Sequence, residues 1–444
     1  GAAPLTLARK VPRDSRTVDF LNNPRKHVSC FGGRGPLFRS GELRPSARGM
    51  VASFDCRSPY DPAAYAAAVL EEHLEETRVV YATVFFGAGV GDARDGYLAC
   101  SSSSGKISVF NVDLLLAAGP ENDVGPALVI AAHHGSVYTL VVHGGDGCAS
   151  HAGALCSGGD DGRTAVWRIA DIVAAADAKT NEKIETVRPA HVFVNPQQSF
   201  PRGALGAVPE TNALGSDAAR GVLFAAAGDG VCYGWDVGDG GRKAPTFSLK
   251  GHSDTLHCVA TRVLANQVVT GSEDGTARIW DARTERASQV VNPWAATETS
   301  ASGGHTSGSP LHNGDSGQAR ASKWVGCVAL DAAENWCAMG CGGGTVTMWS
   351  FAANACASRV TAGTGTAVQA VRLTGERVVA AGNTPFLFRW NLAGKLISRQ
   401  PCRPESVFAI DTSKVGAMTA VAGACAAVDI FSALGTKVAT ARCA

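Results

Sequence analysis

His252, Thr270 and Asp274 combine the residue types of a nucleophilic triad. A threonine hydroxyl attacks when an imidazole takes its proton and a carboxylate orients the ring, provided the hydroxyl opens onto a pocket. A second chemistry, metal ligation, is raised by four histidines between 133 and 151 (His133, His134, His143, His151) and by the pair Cys337 and Cys341. No second cysteine pair completes a four-ligand set. A third is phosphate binding. The stretch "FFGAGVGD" (85–92) follows an apolar run but reads Gly-x-Gly-x-Gly and leads into another strand pattern. Without a helix N-terminus behind it, phosphate binding loses its physical basis. "GGDDG" and "CGGGT" lack the lysine of a phosphate-binding loop. The expectation is therefore no catalytic residue, no cofactor and no metal.

The elements that position these residues explain them better. A thirteen-residue hairpin pattern occurs seven times without gaps: "LACSSSSGKISVF" (98–110), "LCSGGDDGRTAVW" (155–167), "LFAAAGDGVCYGW" (223–235), "VVTGSEDGTARIW" (268–280), "CAMGCGGGTVTMW" (337–349), "VVAAGNTPFLFRW" (378–390) and "TAVAGACAAVDIF" (419–431). Each is a short strand, a small-residue turn and an alternating strand closing on an aromatic. Another apolar run precedes each hairpin, and a fourth run follows most of them. Seven four-stranded units predict an all-β fold, a seven-bladed β-propeller.

The second and fourth hairpins resemble the WD-repeat family. In that family a His, a strand Ser or Thr, a turn Asp and the strand Trp form a buried hydrogen-bond network. The matching positions are His133, Ser157, Asp161 and Trp167 in blade 2, and His252, Thr270, Asp274 and Trp280 in blade 4. Other blades keep parts of it, such as Asp229 with Trp235. Phe110 and Phe431 have no indole N–H, so the network cannot form in their blades. The triad-like residues thus read as structural.

Residues 1–57 are irregular and basic, with ten Lys/Arg against three acids in the first fifty residues, +7 on a chain of net charge +1. The tail can touch RNA phosphates nonspecifically, dock on an acidic partner or stay solvated, and these readings remain open. Asp14 and Asp19 argue against a transit peptide. The chain begins at Gly1, so a removed tag or a native start upstream is expected. A helix is predicted over 61–78 within an N-terminal segment 58–78: Asp61 caps it, and Tyr65, Val69, Leu70 and Leu74 share one face. The propeller is assigned to 79–443, with long loops at 171–205, between blades 2 and 3, and at 294–322. Blade 7 is expected to own all its strands within 404–443, and Asp217 is expected in a loop. The fourteen cysteines contain no Cys-x-x-Cys and suit small buried hydrophobes in a reducing compartment. No apolar run approaches the roughly 18 residues of a membrane span.

Outside the generic hairpin, "YATVFF", "AAHHGSVYTLV", "ETNAL", "LKGHSDTLHCVA", "KWVGCVALDAAENWCAMGCGGGTVTMW" and "VDIFSALGTKVAT" resemble the THO complex subunit 6 family over roughly 61–443. The resemblance implies a non-catalytic nuclear scaffold, with other THO subunits as partners and a role in mRNA processing and export; a cytoplasmic location is the alternative. A competing resemblance lies in "IWDAR" (279–283), which fits the Trp-Asp-x-Arg box of substrate receptors of cullin-4 ubiquitin ligases. It implies that Asp281 and Arg283 contact a ligase adaptor.

Overall fold

In every blade the strand that follows the innermost one is buried along most of its length, as at Tyr97–Ser102, Ala154–Gly159 and Val222–Ala227. Such a strand needs apolar cover on both faces, and a neighbouring blade on each side supplies it. The computed structural model accordingly forms seven antiparallel four-stranded meanders, to one of which, blade 7, a fifth strand is added. Residues 69–70, 77–87, 95–144, 153–178, 187–197, 206–238, 244–293, 323–362, 366–375, 377–413 and 418–444 are described. The expectations for the 1–57 tail and the 294–322 loop fall outside them. Of the expected 61–78 helix, Val69, Leu70, Thr77 and Arg78 are described; the first two are helical and exposed, and the last two lie outside any helix.

Blade 1 comprises Val80–Phe86, Tyr97–Ser102, Lys106–Asn111 and Leu128–Ala131. Blades 2 to 7 run over 137–194, 211–250, 256–291, 325–361, 368–401 and 407–442. The first strands stand side by side around the ring, and that of blade 1 also meets that of blade 7. The core divides into seven clusters, each filled from two adjacent blades. Between blades 4 and 5, Val269 and Ile279 meet Val325 and Met339. Across the closing seam, Phe85, Leu98 and Phe110 meet Val428 and Ile430. The close fit explains Gly271: a Cβ there would lie 2.6 Å from both Cys258 Sγ and Val325 Cγ1. Eleven cysteines are free thiols among the described residues, and nine of them are buried.

Three features depart from the sequence reading. Residues 171–205 do not simply link blades 2 and 3. They contain most of a helix, Ile169–Asp177, which begins two residues before them, and the outer strand of blade 2, His191–Val194. Phe193 explains that strand: it is buried and stacks on Trp235 of blade 3 at 5.2 Å. Asp217 is no loop residue. It ends the first strand of blade 3, is 1% exposed, and accepts from Arg220 N at 3.1 Å and Arg220 Nε at 2.7 Å. A carboxylate at a strand end can turn back on the following N–H groups, and here it brings its own cation.

Blade 7 owns its four strands but carries a fifth. Between the third and fourth strands of blade 1, Asn111 caps a short helix, Val112–Ala118, and Asp123–Val124 then pairs in parallel with Lys437–Arg442. Asp123 also holds Arg403 at 3.0 Å. Blade 1 thus clasps blade 7 from outside, and Arg78 Nη1 donates to Cys443 O at 3.0 Å.

Candidate functional site

The blade 4 residues form one hydrogen-bonded chain. Trp280 Nε1 donates to Thr270 Oγ1 at 2.8 Å, and that hydroxyl meets His252 Nε2 at 2.8 Å. His252 Nδ1 meets Asp274 Oδ2 at 2.8 Å, and Asp274 Oδ1 accepts from Thr276 N and Oγ1. A neutral imidazole protonated at Nδ1 satisfies every member in sequence: indole to hydroxyl, hydroxyl to imidazole, imidazole to carboxylate. Blade 2 repeats the pattern. Trp167 Nε1 donates to Ser157 Oγ at 3.0 Å, His133 Nε2 meets that oxygen at 2.8 Å, and His133 Nδ1 meets Asp161 at 2.9 Å. Burial raises the pKa of both carboxyls, but the hydrogen bonds they accept, first from the histidine, outweigh it. Asp161 is lowered to about 2 and Asp274 further.

This arrangement does no nucleophilic chemistry. Thr270 is 0% exposed and its oxygen already accepts the indole proton, so no acyl group can approach it. In the partial repeats the parts do not meet. Asp229 accepts from Tyr233 Oη at 2.7 Å, while Trp235 Nε1 and Trp349 Nε1 are buried without partners among the described residues. Ala225 and Met339 occupy the position of Thr270 there, so no hydroxyl is available. Phe110 and Phe431 fill their blades as plain hydrocarbon.

The histidines of 133–151 are dispersed: His133 belongs to the network, and His143 is buried with Nδ1 3.0 Å from Ser216 Oγ. His151 lies outside the described residues. Burial raises the Cys337 thiol to about 12 and Cys341 to about 11, so neither offers a thiolate near neutrality. No cluster of three or more His, Cys, Asp or Glu suits a metal among the described residues. Asp281 and Arg283 bind each other: Arg283 Nε donates to Oδ1 at 3.2 Å and Nη2 to Oδ2 at 3.1 Å, on an exposed turn.

A more distinctive surface escaped the sequence reading. The first strand of every blade carries a β-bulge after its first residue. The bulged residues are Tyr81, Tyr138, Asn212, His257, Gly326, Gln369 and Phe408. A bulge re-aims a side chain and raises local twist; at the start of each innermost strand it gathers these residues around one mouth of the ring. Tyr81 packs edge-on against Tyr138 with centroids 5.2 Å apart, and Phe408 follows at 6.0 Å. Across the ring His257 meets Trp324 at 5.6 Å, and Trp324 occupies the space over Gly326. Partly exposed aromatics held by neighbouring blades are the residue types that anchor protein–protein contacts. The usable signal was the second residue of each leading run, as in "VYATVFF", "VYTLVV" and "VFAIDT".

Residues 243–281 match the family described as WD domain, G-beta repeat. The chain is 33% identical to "THO complex subunit 6" of Arabidopsis thaliana over 388 residues, covering 85% of this chain and 96% of that protein. It is 27% identical to the Homo sapiens protein of the same name, covering 77% and 87%. Among solved structures, the WD40 β-propeller domain of Doa1 superposes with a TM-score of 0.51 at 13% identity, covering 79% of this chain and 91% of that one. This last likeness concerns the fold alone.

Proposed function

The chain belongs to the THO complex subunit 6 family, and from that premise we propose that it is a non-catalytic scaffold subunit of a nuclear THO complex, serving mRNA processing and export. The observation that carries this reading is a likeness running through 96% of the Arabidopsis subunit rather than through one repeat. The propeller supplies a rigid ring whose strands are used up in packing, leaving turns, rim and mouth for partners. The aromatic mouth around Tyr81, Tyr138 and Phe408 is the docking face in this reading. A shallow surface with partly exposed tyrosines suits a protein segment.

Residues 58–443 suffice for joining the other subunits in this proposal, and the basic tail adds only nonspecific RNA retention. Affinity purification of the full chain and of 58–443 from nuclear extract, at two salt concentrations, tests it. Recovery of THO subunits with both supports the proposal. Recovery with the full chain alone makes the tail the anchor. A cullin-4 adaptor in place of THO subunits assigns the Asp281–Arg283 turn a role that its internal ion pair does not favour.

A further inference from the structure

Several acids in the propeller keep cations close. Asp217 has Arg220, Asp429 has Lys437 at 2.8 Å, and Asp411 has Arg372 at 3.4 Å. Arg389 breaks this rule. It lies on the third strand of blade 6, is 4% exposed, and lines a cleft of about 510 Å³ at the seam with blade 7. Its one hydrogen bond among the described residues, Nη1 to Ala433 O, is long at 3.4 Å. Among the described residues no carboxylate pairs with it. Burial, and then the nearby charge of Arg377, push its pKa down from the usual arginine value. A buried cation beside a second cation costs stability unless something supplies negative charge.

The rest of the lining joins a second arginine and several hydroxyls to the apolar side chains of Ala332, Leu373, Val379 and Ala433. Arg377 stands exposed at the start of the second strand of blade 6 and makes no ion pair among the described residues. Thr374, Thr412, Ser413 and Thr419 contribute hydroxyls, and no carboxylate lines the cleft among the described residues. Ser413 Oγ accepts from Met418 N at 3.1 Å, which leaves its own proton to donate. We infer that this cleft, on the face opposite the aromatic mouth, binds a phosphate monoester dianion carried on a peptide, clamped by Arg389 and Arg377. Two guanidinium groups and several hydroxyls match two charges and three acceptor oxygens better than they match a carboxylate. Among the described residues no aromatic ring lines the cleft, so a nucleobase finds nothing there to stack on. Leu434, 90% exposed and next to Ala433, offers an apolar contact for a residue flanking the phosphate.

The test is calorimetric titration of the full chain with Ala-Leu-phosphoserine-Leu-Ala, its unphosphorylated form, inorganic phosphate and a 5′-phosphorylated oligonucleotide. Phosphorylation should tighten peptide binding at least about tenfold, and Arg377→Gln should remove that gain. Arg389→Met should also abolish binding while leaving the ligand-free melting temperature equal or higher, because the uncompensated charge has gone. A purely structural arginine would instead lower the melting temperature when replaced. The inference is overturned if phosphorylation has no effect or Arg377→Gln binds like wild type. It is equally overturned if inorganic phosphate or the oligonucleotide binds as tightly as the phosphopeptide. Should Arg389→Met fail to fold, Arg377→Gln at the exposed mouth still decides.

Discussion

Replacing Asp274 by alanine should destabilise the chain by about 2–3 kcal/mol, for reasons that can be followed atom by atom. Oδ2 accepts from His252 Nδ1 at 2.8 Å and from Ser253 N at 3.1 Å, while Oδ1 accepts from Thr276 N at 2.9 Å. The His252 side chain is 0% exposed, so no water replaces the lost carboxylate on its ring. A charge-assisted hydrogen bond to a buried group contributes about 1.5–3 kcal/mol. The backbone donors are less costly to strand: Ser253 is exposed, and Thr276 lies in a turn. Thr276 Oγ1, 3.3 Å from His252 Nδ1, can recover part of the ring's bonding, which keeps the figure below the sum of all contacts. The assay is urea denaturation followed by tryptophan fluorescence, since Trp280 sits at the other end of the network. Glu121→Ala serves as control; this exposed residue should change stability by no more than about 0.5 kcal/mol. Equal midpoints for the two variants would refute the claim that Asp274 anchors a buried network.

Asp217→Ala should cost about 2 kcal/mol, because it strands the partly buried Arg220, and a midpoint matching Glu121→Ala would contradict the pairing. Ala225→Ser should be neutral or stabilising by up to about 1 kcal/mol, since it offers the orphaned Trp235 Nε1 an acceptor; a loss above that size in thermal melts would show that the hydroxyl does not reach it. Asp161, held at about 2, and Asp274, held lower, lie below the unfolded carboxyl value of about 3.9. Their contribution is therefore complete above pH 4 and is lost as pH falls through the folded values. The stability gap between wild type and Asp161→Ala/Asp274→Ala should shrink from pH 5 to pH 2, and a constant gap would exclude this linkage.

The hairpin repeats made the blade count legible, because alternation and a closing aromatic survive even where the polar network is lost. The two complete networks were legible too, since four residue types at fixed offsets leave few other uses for them. What escaped depends on contacts between distant segments. The clasp of Asp123–Val124 on blade 7 rests on a two-residue strand too short for any periodic signal. The outer strand His191–Val194 follows a helix and has one inward anchor, Phe193, so its pattern is weak. Asp217 resembled any loop acid until the turn brought Arg220 back to it. The aromatic mouth required the recurrent bulge, since unbulged pairing would turn those side chains to the opposite face.

The account's central claim, a propeller that scaffolds THO subunits through its aromatic mouth, is tested most directly by paired affinity purifications from nuclear extract. Tagged wild-type chain and Tyr81→Ala/Tyr138→Ala are captured side by side, with matching melting temperatures checked first. The account predicts THO subunits with the wild type and their loss, by at least about tenfold, with the double variant. THO subunits absent from the wild-type capture, or retained equally by both proteins, would contradict it.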